Sequence, residues 1–181
     1  MKITDVKVNQ LRPPPGGTGG RLIVRVSTDE GIVGIAEGSR GLSVFRAYVD
    51  DMIKPLIVGM SPLQPRQIRE TLALGTGERA TQFPSQIVGA IDVACWDIMG
   101  KAAGLPIYAL LGGARRTEIP LYWSRGNGWR KEPEEMLEEV QEGYEKGYRA
   151  FKVRMDWRDY RQDSDPAKDL AIFQKCREWL P

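Results

Sequence analysis

The stretch from Gln86 to Leu111 is the most apolar in this chain, and it constrains the fold more than any other segment. Asp92, Asp97 and Lys101 interrupt it, so it is no membrane span, and nowhere does an apolar run reach membrane-spanning length. Ile91, Ala94, Cys95 and Ile98 recur at helical spacing and make one apolar face. Small Ala and Gly residues along the same run permit close helix packing. Gly104 and Pro106 end the helix, and Leu110 with Leu111 anchor a short second one.

Upstream of that helix the hydrophobic period is different. Ile3 to Arg12 reads as a strand, PPPGGTGGR as a loop, and LIVRVSTDEGIVGIAEG as a hairpin, with Leu22, Val24 and Val26 alternating against Ile23 and Arg25. The hairpin turn is expected at Asp29, Glu30 and Gly31, where Gly tolerates positive φ. Three antiparallel strands therefore open the chain. From Leu42 the pattern is helical: Ile53, Leu56 and Ile57 end one segment before Gly59, and Pro62 and Pro65 introduce the next.

Past Gly112 and Gly113 the order becomes β-α-β-α: strand-like IPLYWS, a helix from Pro133 to Lys146, strand-like AFKVRM, then a helix begun by Asp165 and Pro166. Met136, Leu137, Val140 and Tyr144 form the apolar stripe of the first of these helices, its early turns carry Glu134, Glu135, Glu138 and Glu139, and Gly147 stops it. Two β-α units alone leave open strand edges and uncovered apolar surface. The boundary is expected near Arg116, giving a first domain over 1–116 and the beginning of a second over 117–181.

Several function classes are excluded. There is no histidine, which removes the commonest general base and the usual zinc ligand. The 26 Lys and Arg against 24 Asp and Glu are scattered, giving a formal net charge of +2 and no nucleic-acid footprint. Cys95 and Cys176 sit in helical apolar segments and read as buried reduced thiols, as in a cytoplasmic protein. Neither a signal core nor a membrane partner is expected. GTGERA, Gly75 to Ala80, matches a dinucleotide-binding pattern but follows the helix-like RQIRETLAL, so a nicotinamide site is rejected.

The run AIDVACWDIMGKAAGLPIYALLGG, Ala90 to Gly113, resembles the helix and exit turn of the capping domain in the mandelate racemase and muconate lactonizing group of the enolase superfamily. The resemblance extends back to TDEG and GIAEG and onward to GYRAFKVR. It implies an α+β capping domain, a three-stranded antiparallel meander followed by helices, joined to the start of a modified (β/α) TIM-type barrel. It also implies that magnesium, held by three carboxylates, stabilises an enolate formed by removing the proton α to a carboxylate. In the group those carboxylates end the third, fourth and fifth barrel strands, beyond the last strand present here. No metal ligand is expected in this chain, and the chain by itself is expected to be inactive.

In AFKVRM, Lys152 and Arg154 share one face of a strand, while Phe151, Val153 and Met155 share the other. The pair stands where the group usually has Lys-x-Lys, the first touching the substrate carboxylate and the second acting as base. Arg154 departs from that pattern, and a guanidinium with a pKa above ~12 suits anion binding better than proton abstraction. Lys152 and Arg154 are thus the expected catalytic residues. The resemblance assigns the loops Pro13 to Arg21 and Ser39 to Phe45 to substrate closure, with Arg21, Ser39, Arg40 and Phe45 as expected substrate contacts. Tyr122, Trp123 and Trp129 admit a sugar-stacking role, with packing expected for at least two.

The preferred expectation is an acid-sugar dehydratase acting on a small carboxylate, homo-oligomeric when full length. A racemase, epimerase or cycloisomerase of the same group is the alternative, as is a non-catalytic binding or oligomerisation module.

Overall fold

Alternation of period two becomes a three-stranded antiparallel sheet in order β1-β2-β3, with β1 at Ile3–Leu11, β2 at Arg21–Thr28 and β3 at Val33–Gly38. The computed structural model describes residues 1–12, 21–38, 41–74, 83–125, 131–153 and 165–181. Two compact units divide the chain, Met1–Arg115 and Arg116–Pro181.

In the first unit Val6, Val8, Leu22, Val24, Val26 and Ala36 are buried on one face of the sheet. Ile3 joins them although it lies an odd number of residues from Val6, because the register shifts between Ile3 and Asp5. Such a bulge turns one side chain over without ending the strand. Gly31 takes φ 79 at the β2–β3 turn, as expected there.

The first helical stretch is continuous but not uniform: α1 (Leu42–Ala47), a π-helical turn (Tyr48–Ile53) and α2 (Lys54–Ile57). Pro55, with no N–H to return to the preceding turn, sits just past the π-helical residues. After α3 (Pro65–Leu74) comes α4 (Ser85–Ala103), the apolar helix, which buries Ile87, Ala90, Ile91, Ala94, Cys95 and Ile98. It lies hard against β3: a Cβ on Gly34 would come within 2.0 Å of the Ala94 carbonyl oxygen. Gly104, at φ 65, closes α4, and α5 (Ile107–Leu110) follows.

The second unit is built on α6 (Pro133–Glu145) and α7 (Pro166–Trp179). Glu135 accepts from the Glu132 N–H at 2.8 Å, and Asp165 accepts from the Lys168 N–H at 3.0 Å, so each helix starts on a carboxylate cap. Met136, Val140, Ile172 and Cys176 are buried together, with Phe151, Val153 and Leu180 packed against them. The two expected strands are reduced, among the described residues, to one parallel bridge between Trp123 and Phe151. A lone parallel pair with no neighbouring strand has little to hold a longer ladder.

Candidate functional site

The bridge decides which side chains share a face. The Trp123 N–H donates to the Ala150 carbonyl at 2.8 Å, and the Lys152 N–H donates to the Trp123 carbonyl at 2.8 Å. That register sets Trp123 beside Phe151 on one face and Tyr122, Ser124, Ala150 and Lys152 on the other. Burial follows it: Trp123, Phe151 and Val153 are half-buried, whereas the other four are exposed.

The helix-side face is packing. Trp123 lies so close to α6 that a Cβ on Gly143 would fall 2.6 Å from its ring, and the Tyr148 ring packs beside it at a tilt of 50° with centroids 5.0 Å apart. Of the three aromatic candidates, Trp123 is thereby occupied, Tyr122 is free at 55% exposure, and Trp129 lies outside the described residues.

Lys152 stands on the open face and makes no ion pair with any described residue. Together with Tyr122, Ala150, Phe151, Val153 and Phe173 it lines an open depression of about 540 Å³. An exposed ammonium with no ion partner among the described residues, in a depression also lined by Tyr122 and Phe173, suits a small anion with an apolar flank. Arg154 lies outside the described residues.

Arg21 is exposed at the start of β2, and its guanidinium bonds Glu37 on β3 at 2.6 Å. Its charge is therefore already partnered, and binding a substrate anion there requires Glu37 to yield. Glu37 with Gly38, Gln86, Gly89, Ala90 and Val93 borders a separate groove of about 450 Å³ in this unit. Phe45 is not at a surface: it is 3% exposed in the core, its ring within 3.3 Å of where a Gly38 Cβ would stand. One turn into α1, an aromatic side chain packs under β3 in preference to facing solvent. Ser39 and Arg40 lie outside the described residues.

Among the described residues the two thiols and the acids do not form a nucleophile or a metal cage. Burial, with Asp92 adding to it, pushes the Cys95 thiol up to about 12, and burial raises Cys176 as well, so both stay protonated at neutral pH. Three acids of α6 are paired with cations: Glu134 with Lys175, Glu139 with Lys131, and Glu142 with Lys146 and Arg125. The Lys175 and Lys146 hydrogen bonds hold Glu134 and Glu142 below the usual carboxylate range. Among the described residues no three of His, Cys, Asp and Glu are grouped so as to hold a metal ion. They do not fit a magnesium site.

Tyr122 and Ser124 share the face of Lys152, a placement that sequence reading missed. The run Leu121, Tyr122, Trp123 is apolar or aromatic at every position, so alternation is hidden there until the hydrogen-bonded register is known.

Comparison with known proteins identifies what this chain is similar to. The family described as mandelate racemase / muconate lactonizing enzyme, N-terminal domain, matches residues 17–112. A D-galactonate dehydratase family member of Marinomonas sp. (strain MWYL1) is 35% identical over 159 residues, covering 85% of this chain and 37% of that protein. A D-mannonate dehydratase of Rhizorhabdus wittichii is 35% identical over 184 residues, covering 100% of this chain and 44% of that protein. Among solved structures, a mandelate racemase/muconate lactonizing protein from Paracoccus denitrificans PD1222, complexed with magnesium, superposes with TM-score 0.81 at 31% identity over 98% of this chain and 48% of its own. The N-succinyl Arg/Lys racemase from Bacillus cereus ATCC 14579 superposes with TM-score 0.80 at 26% identity over 98% and 49%. The chain thus spans less than half the length of each of these relatives.

Proposed function

Because the chain belongs to the mandelate racemase / muconate lactonizing enzyme family through its N-terminal domain, we propose that it forms the capping domain and first β/α units of an acid-sugar dehydratase. The observation that carries the reading is the naming of curated relatives at 35% identity as D-galactonate dehydratase family and D-mannonate dehydratase proteins. The proposed substrate is a small polyhydroxylated carboxylate, and the proposed reaction removes the proton α to the carboxylate and expels the β-hydroxyl.

In this reading Lys152, on the open face of its strand, binds the substrate carboxylate, and Arg154 adds bidentate anion binding. Racemisation needs a proton donor or acceptor on both faces of the carbon, whereas elimination needs one base and an acid for the leaving hydroxyl. Arg in the second position of the Lys-x-Lys pair therefore favours elimination. Arg21, Ser39 and Arg40 are proposed as substrate contacts of the first unit. Magnesium, when bound to the family's enzymes, stabilises the enolate; the described residues supply no site for it, and no step here is routed through it. Homo-oligomerisation and a reducing cytoplasm are further parts of the proposal, the latter supported by the two buried free thiols. No helix among the described residues is long and apolar enough to cross a membrane.

The test is turnover by the intact gene product against a panel of acid sugars in deuterated water. Dehydration should yield a 2-oxo-3-deoxy acid, and Lys152→Ala should raise KM for that substrate. Exchange of the α-proton from both faces without loss of water would replace this reading with a racemase.

A further inference from the structure

β3 is an edge strand: β2 pairs with one side, and no described strand pairs with the other. Its outer side nevertheless has partners. The Ile35 N–H donates to Asp97 Oδ2 at 2.8 Å, and Lys101 Nζ donates to the Val33 carbonyl at 2.7 Å. Lys101 also bonds the same Asp97 oxygen at 2.6 Å, one helical turn along α4. The helix approaches this closely because Gly34, between the two edge residues, has no side chain to strike the Ala94 carbonyl.

We infer that Asp97 and Lys101 stand in for a fourth strand, closing the edge of the sheet against pairing with a second copy of this chain. The Ile35 N–H and the Val33 carbonyl flank Gly34 symmetrically. Left free, they are self-complementary: two antiparallel copies of β3 related by a twofold at Gly34 exchange that bond twice. Unpaired donors and acceptors of this kind are what template edge-to-edge association, and charged side chains at an edge suppress it. Ile35 is 46% exposed beside them, adding apolar surface to the same edge. As an ion pair the couple contributes little, since Lys101 is 45% and Asp97 25% exposed. Its value lies in occupying the two backbone groups.

The experiment uses the full chain, with amide exchange at Ile35 read relative to Val24 in the central strand and association read by sedimentation velocity across concentration. Asp97→Ala should accelerate Ile35 exchange about tenfold relative to Val24 and raise association above wild type. Asp97→Ala with Lys101→Met, which frees both backbone groups, should associate more strongly still, whereas Lys101→Met alone keeps Asp97 on the Ile35 N–H and should leave Ile35 slow and association near wild type. Adding Ile35→Lys to either associating variant should return association to the wild-type level. The inference is overturned if Ile35 and Val24 accelerate together, if the double variant associates no more than wild type, or if Ile35→Lys leaves the new association in place.

Discussion

The two units solve the same burial problem to different degrees. In Met1–Arg115 the core draws on all three strands and on α1 to α4, and its large side chains reach zero exposure at Val24, Ile53, Ile57, Ile91 and Ile98. Among the described residues of Arg116–Pro181 the core is Met136, Val140, Ile172 and Cys176, and it covers one face of a single parallel bridge. Ile119, Leu121, Leu170 and Phe173 stay between 51% and 74% exposed in that unit. Stability is therefore concentrated where the sheet is, and the segment carrying Lys152 rests on the weaker scaffold. The chain also supplies its own reporters, because one buried thiol lies in each unit: Cys95 in the first and Cys176 in the second.

The largest test of this contrast is Gly34→Ala. The added Cβ meets a backbone oxygen, which has no flexible end to move aside. It should cost about 3 kcal/mol, at the upper end of overpacking effects. Thiol labelling below the urea midpoint should then rise about a hundredfold at Cys95 and stay unchanged at Cys176. Equal acceleration at both thiols breaks the comparison, since the chain would be opening as one cooperative body.

In the unaltered chain Cys176 should label faster than Cys95 by roughly thirtyfold, corresponding to about 2 kcal/mol of difference in local opening. Labelling at equal rates would remove the distinction between strong and weak units. Gly143→Ala is the matching substitution in the second unit, where the new Cβ meets the Trp123 side chain instead of backbone. A ring has some room to tilt, so about 1.5 kcal/mol is expected, seen as faster labelling at Cys176 alone.

The smallest effect is electrostatic. Partial burial raises the Asp5 carboxyl, but hydrogen bonds from Lys54 and Lys7 outweigh it and hold the group below the usual carboxylate range. Its partner Lys54 is raised by the hydrogen bond to Asp50, against the opposing effect of burial. A lowered folded-state carboxyl stabilises above its unfolded value, near pH ~3.9, and that contribution is lost as pH falls through the folded value. Asp5→Asn should thus cost about 0.5 kcal/mol in the first unit at neutral pH and progressively less below about pH 4. A pH-independent difference in the Cys95 labelling midpoint would show that packing, not charge, is at stake there.

Local signals in the sequence were enough for the order of elements, the Gly31 turn, the carboxylate-capped start of α7 at Asp165 and Pro166, and the burial of both thiols. Each depends on residues within a turn or two of one another, where period and capping chemistry act directly. The family likeness was legible for the same reason, in a contiguous run along α4. What tertiary structure alone decided involves partners far apart in the chain. Phe45 is buried in the core because β3 lies above it. Lys152 shares its face with Tyr122 and Ser124 because Trp123 and Phe151 pair in one particular register. Asp97 is a surface acid by composition, but 62 residues from Ile35 it becomes the acceptor that completes a strand edge. Hydrophobic period specifies which side of an element is buried, and it carries no information about which distant backbone group that element will meet.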